Sequence, residues 1–355
     1  MRCRNRLAAA IVFSVAIGSP AVANPTLLFD PSNGKVLYAE EMDDLWHPAS
    51  LTKIMTAYVT FKAIKAGRLT LEDKVICSER AQTQPPSKIG MPIGAELTVD
   101  NALKALIIKS ANDVAVMLAE RVSGSEEQFV ADMNAAAREL GMSRTVFVNP
   151  NGLPAPLQVT TARDLAKLAR AVTREFPEHA AYWSMTDMRI GKIRLASHNG
   201  LLKTFDGADG LKTGFICDSG FNVVASATRD GRKLMAVVLG ESSGQDRSIR
   251  AASLLEHGFQ NQGWKEFFNT QTIDNVPVTP TTASVKSVRQ SILSWDCGNG
   301  RKNPAVVSRK ERIKAAREKA KAREKAKKAT TTEVKSSPEG AADAGSTKPK
   351  AKPET

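Results

Sequence analysis

Along residues 25–40 apolar and polar positions alternate. Leu27, Leu28 and Phe29 form one run, and Val36, Leu37 and Tyr38 form a second. Pro31-Ser32-Asn33-Gly34 separates them. Two short apolar runs around an Asn-Gly pair predict a β-hairpin. From residue 50 to 66 the period changes. Leu51, Ile54, Met55, Tyr58, Val59 and Ala63 recur at helical spacing, with His47-Pro48-Ala49 leading in and Gly67 after, which predicts a long helix. The same spacing recurs at 100–109, 111–122, 125–140 and 161–174. Strand patterns follow at 190–196, 222–229 and 233–240, the last two joined by Asp230-Gly231. Residues 246–262 return to helix. Hairpins on both sides of a helical block, closed by a helix, predict an α/β (α+β) fold with an antiparallel sheet.

The two ends of the chain read differently. Arg2, Arg4 and Arg6 precede an apolar run from Leu7 to Ile17, and Ala21-Val22-Ala23 follows a break at Gly18 and Pro20. This is the pattern of a secretory signal peptide over 1–23, cleaved before Asn24. The apolar run is shorter than the ~20 residues a spanning helix needs. The expected location is therefore exported: periplasmic or extracytoplasmic. After about 265 the chain becomes rich in Thr, Val, Pro and Ser, a short extension expected over 265–307. Residues 308–329 are Ala, Lys, Arg and Glu with Ile313 as the one large apolar side chain. They predict a basic helix without an apolar stripe. Residues 330–355 have the composition of a disordered tail.

Composition and charge change this picture in one respect. The chain of 355 residues has a formal net charge of +13, which invites a nucleic-acid reading. Yet residues 301–355 hold 17 Lys+Arg against 7 Asp+Glu, and 24–300 carries 30 of each. The expected folded part is balanced, so no nucleic-acid partner is expected. The basic tail remains a candidate tether to an anionic envelope surface, with a merely solvated extension as the alternative. Hydrophobic residues make up 42%, enough for a large core. With 4 His and no CxxC pair, no metal and no cofactor are expected. In an exported chain Cys77, Cys217 and Cys297 meet oxidising conditions. Three pairings are open. Cys217–Cys297 is the one that would tie the extension back to the domain, and three unbridged thiols is the alternative.

Three short motifs carry chemistry. Ser50-Leu51-Thr52-Lys53 opens the first long helix, and residues three apart share a helix face. A serine needs an adjacent base to act as a nucleophile, and a lysine serves if its pKa is lowered. Ser110-Ala111-Asn112 supplies a hydroxyl that can relay a proton and an amide that can hold a peptide group. Lys212-Thr213-Gly214 adds a cation, a hydroxyl and a glycine that lets a substrate backbone approach, on a strand edge. Each is weak alone.

In this order and spacing they are the signature set of the penicillin-recognising serine enzymes. Over roughly 25–262 the chain resembles the low-molecular-mass penicillin-binding proteins that are serine-type D-alanyl-D-alanine carboxypeptidases. Linking segments share the resemblance: HPASLTKIMTAYV, SKIGMPIG, LIIKSANDVAVMLAE, FVNPNGLPAP, HNGLLKTFDGADGLKTGF and DRSIRAASLLEHGF. The resemblance implies a transpeptidase-like fold with a helical subdomain and a catalytic domain over 24–264. It implies Ser50 as nucleophile, Lys53 as its base, and Ser110 as proton shuttle held by Lys212. Asn112 would bind the donor amide. Thr213 and Arg247 would bind the terminal carboxylate. The N–H groups of Ser50 and Phe215 would form the oxyanion hole, and Gly214 and Ser87 line the site. Peptidoglycan stem peptides would be the substrate and β-lactams covalent inhibitors. A D,D-endopeptidase using the same residues, a β-lactamase and a non-catalytic wall-binding protein are the alternatives. A β-lactamase would need a Glu-x-x-Leu-Asn type of segment to place its hydrolytic water, and this sequence shows none. Phe215 stands where relatives often carry His, and the chain lacks a recognisable second β-rich domain.

Overall fold

The computed structural model describes residues 24–261, 270–280, 284–292 and Cys297. The expected signal peptide, basic helix and terminal tail lie outside the described residues, as does part of the extension. Strands β1 (Thr26–Phe29) and β2 (Val36–Glu40) form the expected hairpin. A 3-10 turn, Ala49–Leu51, leads into α1 (Thr52–Lys65). A small pair, β3 (Lys74–Ile76) and β4 (Glu96–Thr98), brackets the short α2 (Glu79–Gln82). Then come α3 (Val99–Ile108), α4 (Asn112–Ser123), α5 (Glu126–Glu139) and α6 (Ala162–Glu175). The short α7 (Ala181–Ser184) precedes β5 (Asp187–Ile190) and β6 (Ile193–Ala196), and α8 (Leu201–Thr204) follows. Strands β7 (Ala208–Ile216), β8 (Gly220–Arg229) and β9 (Arg232–Glu241) lead to α9 (Gly244–Gln260). Residues 190–196, expected as one strand, are instead the turn and second arm of a hairpin. Gly191 takes φ +55°, which permits the reversal.

The main sheet is antiparallel, in the order β2-β1-β9-β8-β7. Its strands are apolar on both faces, and alternate residues serve two cores. Leu27, Phe29, Val224, Met235 and Val237 face a large core that includes α1, α3, α4 and α6. Leu28, Val223, Ala225, Leu234, Ala236 and Val238 face a second core with Leu254 and Leu255 of α9. Helix α1 is enclosed on nearly every side. Its polar residues Thr52, Lys53, Thr56 and Thr60 are buried together with Ile54, Met55, Tyr58 and Phe61. Thr60 returns its hydroxyl to the Thr56 carbonyl at 2.8 Å, and Thr56 donates to the Pro150 carbonyl. Burying polar groups is costly unless they are hydrogen-bonded, and of these four Lys53, Thr56 and Thr60 have partners while the Thr52 hydroxyl has none among the described residues.

The segment after α9 is a strap without strands among the described residues. Ile273 and Ile292 are fully buried. Its main anchor is a buried ion pair. Arg163 of α6 meets Asp43 through Nε–Oδ1 at 2.6 Å and Nη2–Oδ2 at 2.8 Å. The guanidinium also donates to the carbonyls of Ile273, Val276 and Pro277. Thr279 N–H donates to Asp43 at 3.1 Å. Farther along, Arg289 and Ser287 grip Asp218 in the β7–β8 turn. Cys217 and Cys297 are joined by a disulfide, 80 residues apart in sequence. Cys77 is a buried free thiol, its pKa raised chiefly by that burial. Among the described residues no helix is long and apolar enough to cross a membrane.

Candidate functional site

The site forms where α1, the α3–α4 junction and strand β7 meet. Ser50 lies in the 3-10 turn just ahead of α1, and Ala49 before it takes φ +48°. Lys53 sits one turn on and is fully buried. Its Nζ lies 3.1 Å from Ser50 Oγ and 2.7 Å from Asn112 Oδ1, and it also bonds the Asn151 carbonyl. Burial and then the nearby charge of Lys212 hold Lys53 well below the ordinary lysine range, with Asp113 opposing. A lysine amine whose charged form is disfavoured, set beside a hydroxyl, is the arrangement a serine nucleophile requires.

Ser110 follows α3 in the left-handed region, φ +58°. It is the cleft-lining residue whose buried hydroxyl has no hydrogen-bond partner. Asn112, first residue of α4, donates from Nδ2 to the Pro85 carbonyl at 2.9 Å. Its amide is therefore bonded at both ends within the protein, and each end keeps one further hydrogen-bonding position. Ser87 donates to the Lys109 carbonyl at 2.8 Å, and its own carbonyl accepts from Asn112 N–H at 2.7 Å.

Lys212, Thr213 and Gly214 lie in β7, at the edge of the sheet. Lys212 is buried and donates to the Thr213 carbonyl at 2.9 Å. The expected Lys212–Ser110 link is not made in this structure. Burial and then the charge of Arg247 lower Lys212 to about 7. Arg247 of α9, itself lowered by burial to about 10, reaches the His198 carbonyl at 3.4 Å. Gly214, which lines the cleft, also has a steric role. A Cβ there would stand 3.0–3.1 Å from Pro48 O, Ser50 N and Leu51 N. The missing side chain lets β7 pack against the nucleophile turn itself.

These groups surround a cleft of about 610 Å³. Ser50, Ser87, Ser110, Asn112, Thr213, Gly214, Phe215 and Arg247 line it, with Lys53 and Lys212 buried behind. His198, Asn151, Gly152, Leu153 and Phe221 also line it, although nothing in their residue types singles them out. Phe221 packs on Phe215 with ring centroids 4.2 Å apart. No group of His, Cys, Asp and Glu suited to a metal occurs among the described residues.

Gly152 has the tightest steric constraint here. It takes φ +84°, and a Cβ would fall 1.9 Å from the Ala49 carbonyl and 2.9 Å from Ser50 N. Gly152→Ala must push back the nucleophile turn. A displacement near 1 Å costs on the order of 10²-fold in rate. The expected result is a loss of that size in Ser50 acylation, measured by stopped-flow. A rate within twofold of wild type would contradict this account.

Comparison with known proteins places this geometry. A family described as D-alanyl-D-alanine carboxypeptidase (peptidase family S11) matches residues 16–243. The Escherichia coli D-alanyl-D-alanine carboxypeptidase DacC is 37% identical over 277 residues, covering 76% of this chain and 67% of the relative. Penicillin binding protein 5 from Haemophilus influenzae, a solved structure, is 34% identical with a TM-score of 0.65, covering 69% of this chain and 73% of the other. Penicillin-Binding Protein D2 from Listeria monocytogenes, solved in its cefotaxime-bound form, is 30% identical with a TM-score of 0.61, covering 68% of this chain and 100% of the other.

Proposed function

The chain belongs to the D-alanyl-D-alanine carboxypeptidase family of serine peptidases, and from that premise we propose how its cleft performs the reaction. The protein is a serine-type peptidoglycan D-alanyl-D-alanine carboxypeptidase that also binds penicillin. It removes the terminal D-alanine of stem pentapeptides through an acyl-enzyme. The observation that carries the assignment of roles is the 3.1 Å contact between Ser50 Oγ and a fully buried Lys53 amine.

In this reading neutral Lys53 takes the Ser50 proton as Oγ attacks the carbonyl between the two D-alanines. The N–H groups of Ser50 and Phe215 hold the oxyanion, each such donor typically supplying ~3 kcal/mol. Ser110 passes its proton to the leaving amine and is reprotonated by Lys53, which gives up the proton it took from Ser50. The buried, unpartnered Ser110 hydroxyl is free to do so because no protein group competes for it. Arg247 and Thr213 meet the terminal carboxylate, and the substrate backbone runs along the open edge of β7. Asn112 acts by fixing the Lys53 amine. Water then hydrolyses the ester. The reaction is placed outside the cytoplasm, where peptidoglycan lies. β-Lactams are its covalent inhibitors, as the ligand-bound Listeria relative suggests.

The direct test is incubation of the full chain with a pentapeptide ending in D-Ala-D-Ala. Free D-alanine is the expected product, and cross-linked dimers from sacculi should stay intact. Cross-link loss without D-alanine release would reject the carboxypeptidase assignment.

The cations also predict a pH dependence. Lys212, near 7, carries its charge below that pH and loses it above, whereas Arg247 near 10 stays charged. The positive field at the substrate carboxylate therefore weakens as pH rises through 7. The expected kcat/KM falls on that side through a rising KM. Lys212→Arg, with a permanent charge, should remove this limb. A KM constant from pH 6 to 9 would count against it.

A further inference from the structure

Asp113, fully buried beside the site, has no task in the mechanism above. It is the second residue of α4, directly after Asn112. Its side chain meets the segment between α2 and β4. Oδ2 accepts from Gly90 N–H at 2.8 Å and from Ile89 N–H at 3.0 Å. Oδ1 accepts from Val114 N–H at 2.9 Å and lies 3.1 Å from the Ile89 nitrogen. The same loop, 85–90, reaches back to the Ser110-Ala111-Asn112 turn at three points. The Pro85 carbonyl accepts from Asn112 Nδ2 at 2.9 Å, and the Ser87 carbonyl accepts from Asn112 N–H at 2.7 Å. Ser87 Oγ donates to the Lys109 carbonyl at 2.8 Å. Pro86 and Ser87 line the cleft.

A carbonyl oxygen can only accept, so Pro85 admits the amino end of the Asn112 amide and rejects its oxygen. That choice turns Oδ1 toward Lys53, at 2.7 Å. Once Lys53 has taken the Ser50 proton, its ammonium has three N–H groups to place. Three acceptors stand around it: Ser50 Oγ, Asn112 Oδ1 and the Asn151 carbonyl. With the amide reversed, an amino group would face the new ammonium, donor against donor. We propose that Asp113 is a positioning residue for Asn112. By pinning the loop at Ile89 and Gly90 it keeps the Pro85 carbonyl where it orients the amide, and so keeps an acceptor beside the ammonium formed during acylation. The inference rests on the function proposed above and adds a residue to it.

A carboxylate suits this position on two counts. Its two oxygens offer about four acceptor sites, so one side chain serves α4 and the loop together. It also lies in the first turn of α4, where an acidic side chain is favoured. The Val114 bond alone would make Asp113 a stabiliser of its own helix. The bonds to Ile89 and Gly90 cross to a different segment, and it is those that reach the amide through Pro85 and Ser87. The two roles part in experiment. Loss of helix stabilisation lowers the melting temperature, whereas loss of amide orientation slows the chemical step.

The test is a double-mutant cycle on the full chain, read as the single-turnover rate constant and the pre-covalent dissociation constant for acylation by a fluorescent penicillin. Asp113→Ala should slow the acylation step about 30-fold, the size expected for losing a hydrogen bond to a charged group. The dissociation constant should hold, because Thr213 and Arg247 are untouched. Asp113→Asn keeps one oxygen for the Ile89 and Gly90 N–H groups, is the safer variant for folding, and should recover most of the rate. In an Asn112→Ala background, Asp113→Ala should cost about twofold or less, because both changes remove the same acceptor. Losses that multiply in the double variant would overturn the positioning role, as would a loss confined to the dissociation constant. A lowered melting temperature with a wild-type acylation rate would leave Asp113 a stabiliser of α4 and overturn it too. A wild type that is not acylated at all would instead reject the proposed function.

Discussion

Ser50→Ala should abolish covalent labelling by a fluorescent penicillin and lower D-alanine release by about 10⁴-fold or more. The magnitude follows from what remains. Without the hydroxyl no acyl-enzyme forms, and Lys53 has no proton to accept. Residual rate could come only from the oxyanion donors and binding groups acting on water, which in serine enzymes retain a small part of the acceleration. The protein should still fold. Ser50 is partly exposed in a 3-10 turn, and removing one oxygen leaves the enclosing contacts of Gly152 and Gly214 with the backbone unchanged. The measurement pairs gel labelling with a thermal melt. Labelling that survives in a variant with the wild-type melting temperature would exclude Ser50 as nucleophile.

Arg163→Met should have the largest effect on stability. It removes one partner of a buried ion pair whose side chains are 4% and 3% exposed. Breaking such a pair typically costs about 3–5 kcal/mol, because the surviving charge is left buried. In the native protein Asp43 is held below the ordinary carboxylate range. Burial would raise it, but the Arg163 bonds, the Thr279 N–H and the charges of Arg163 and Arg144 outweigh that. A depressed carboxylate contributes stability above its unfolded pKa, and that contribution is lost as pH falls through the folded value. The wild type should therefore keep its strap to lower pH than Asp43→Asn does. At neutral pH Arg163→Met should melt roughly 10 °C lower, using about 2–4 °C per kcal/mol for a domain of this size. Arg163→Met combined with Asp43→Asn should recover part of the loss, since no unpaired charge remains. A single variant melting within 2 °C of wild type would refute the anchoring role.

The sheet and the long helices are legible in the sequence because their periods differ. Leu27 and Phe29 point one way and Leu28 the other, and α1 announces itself through Leu51, Ile54, Met55 and Tyr58. The strap is not legible. What holds it is a set of backbone carbonyls, which every residue carries, and an Arg–Asp pair 120 positions apart. No short window contains both halves of that contact. The site divides in the same way. Ser50, Lys53, Ser110 and Lys212 are recognisable by residue type and spacing, and Arg247 only through the family resemblance. That Lys212 turns to the Thr213 carbonyl and Asn112 to Lys53 and Pro85 depends on three-dimensional placement alone. Asn151 acts through its main chain and Gly152 through an absent side chain, so neither leaves a chemical signal.

The Cys217–Cys297 bridge has one more consequence. It encloses β8, β9, α9 and the strap in a single covalent ring that begins two residues after Phe215. A protease that cuts the chain once anywhere between those cysteines cannot release a fragment. The nicked protein should run as one band on a non-reducing gel and as two after reduction. The cut ends would remain concentrated beside each other, so strands β8 and β9 could stay paired next to β7.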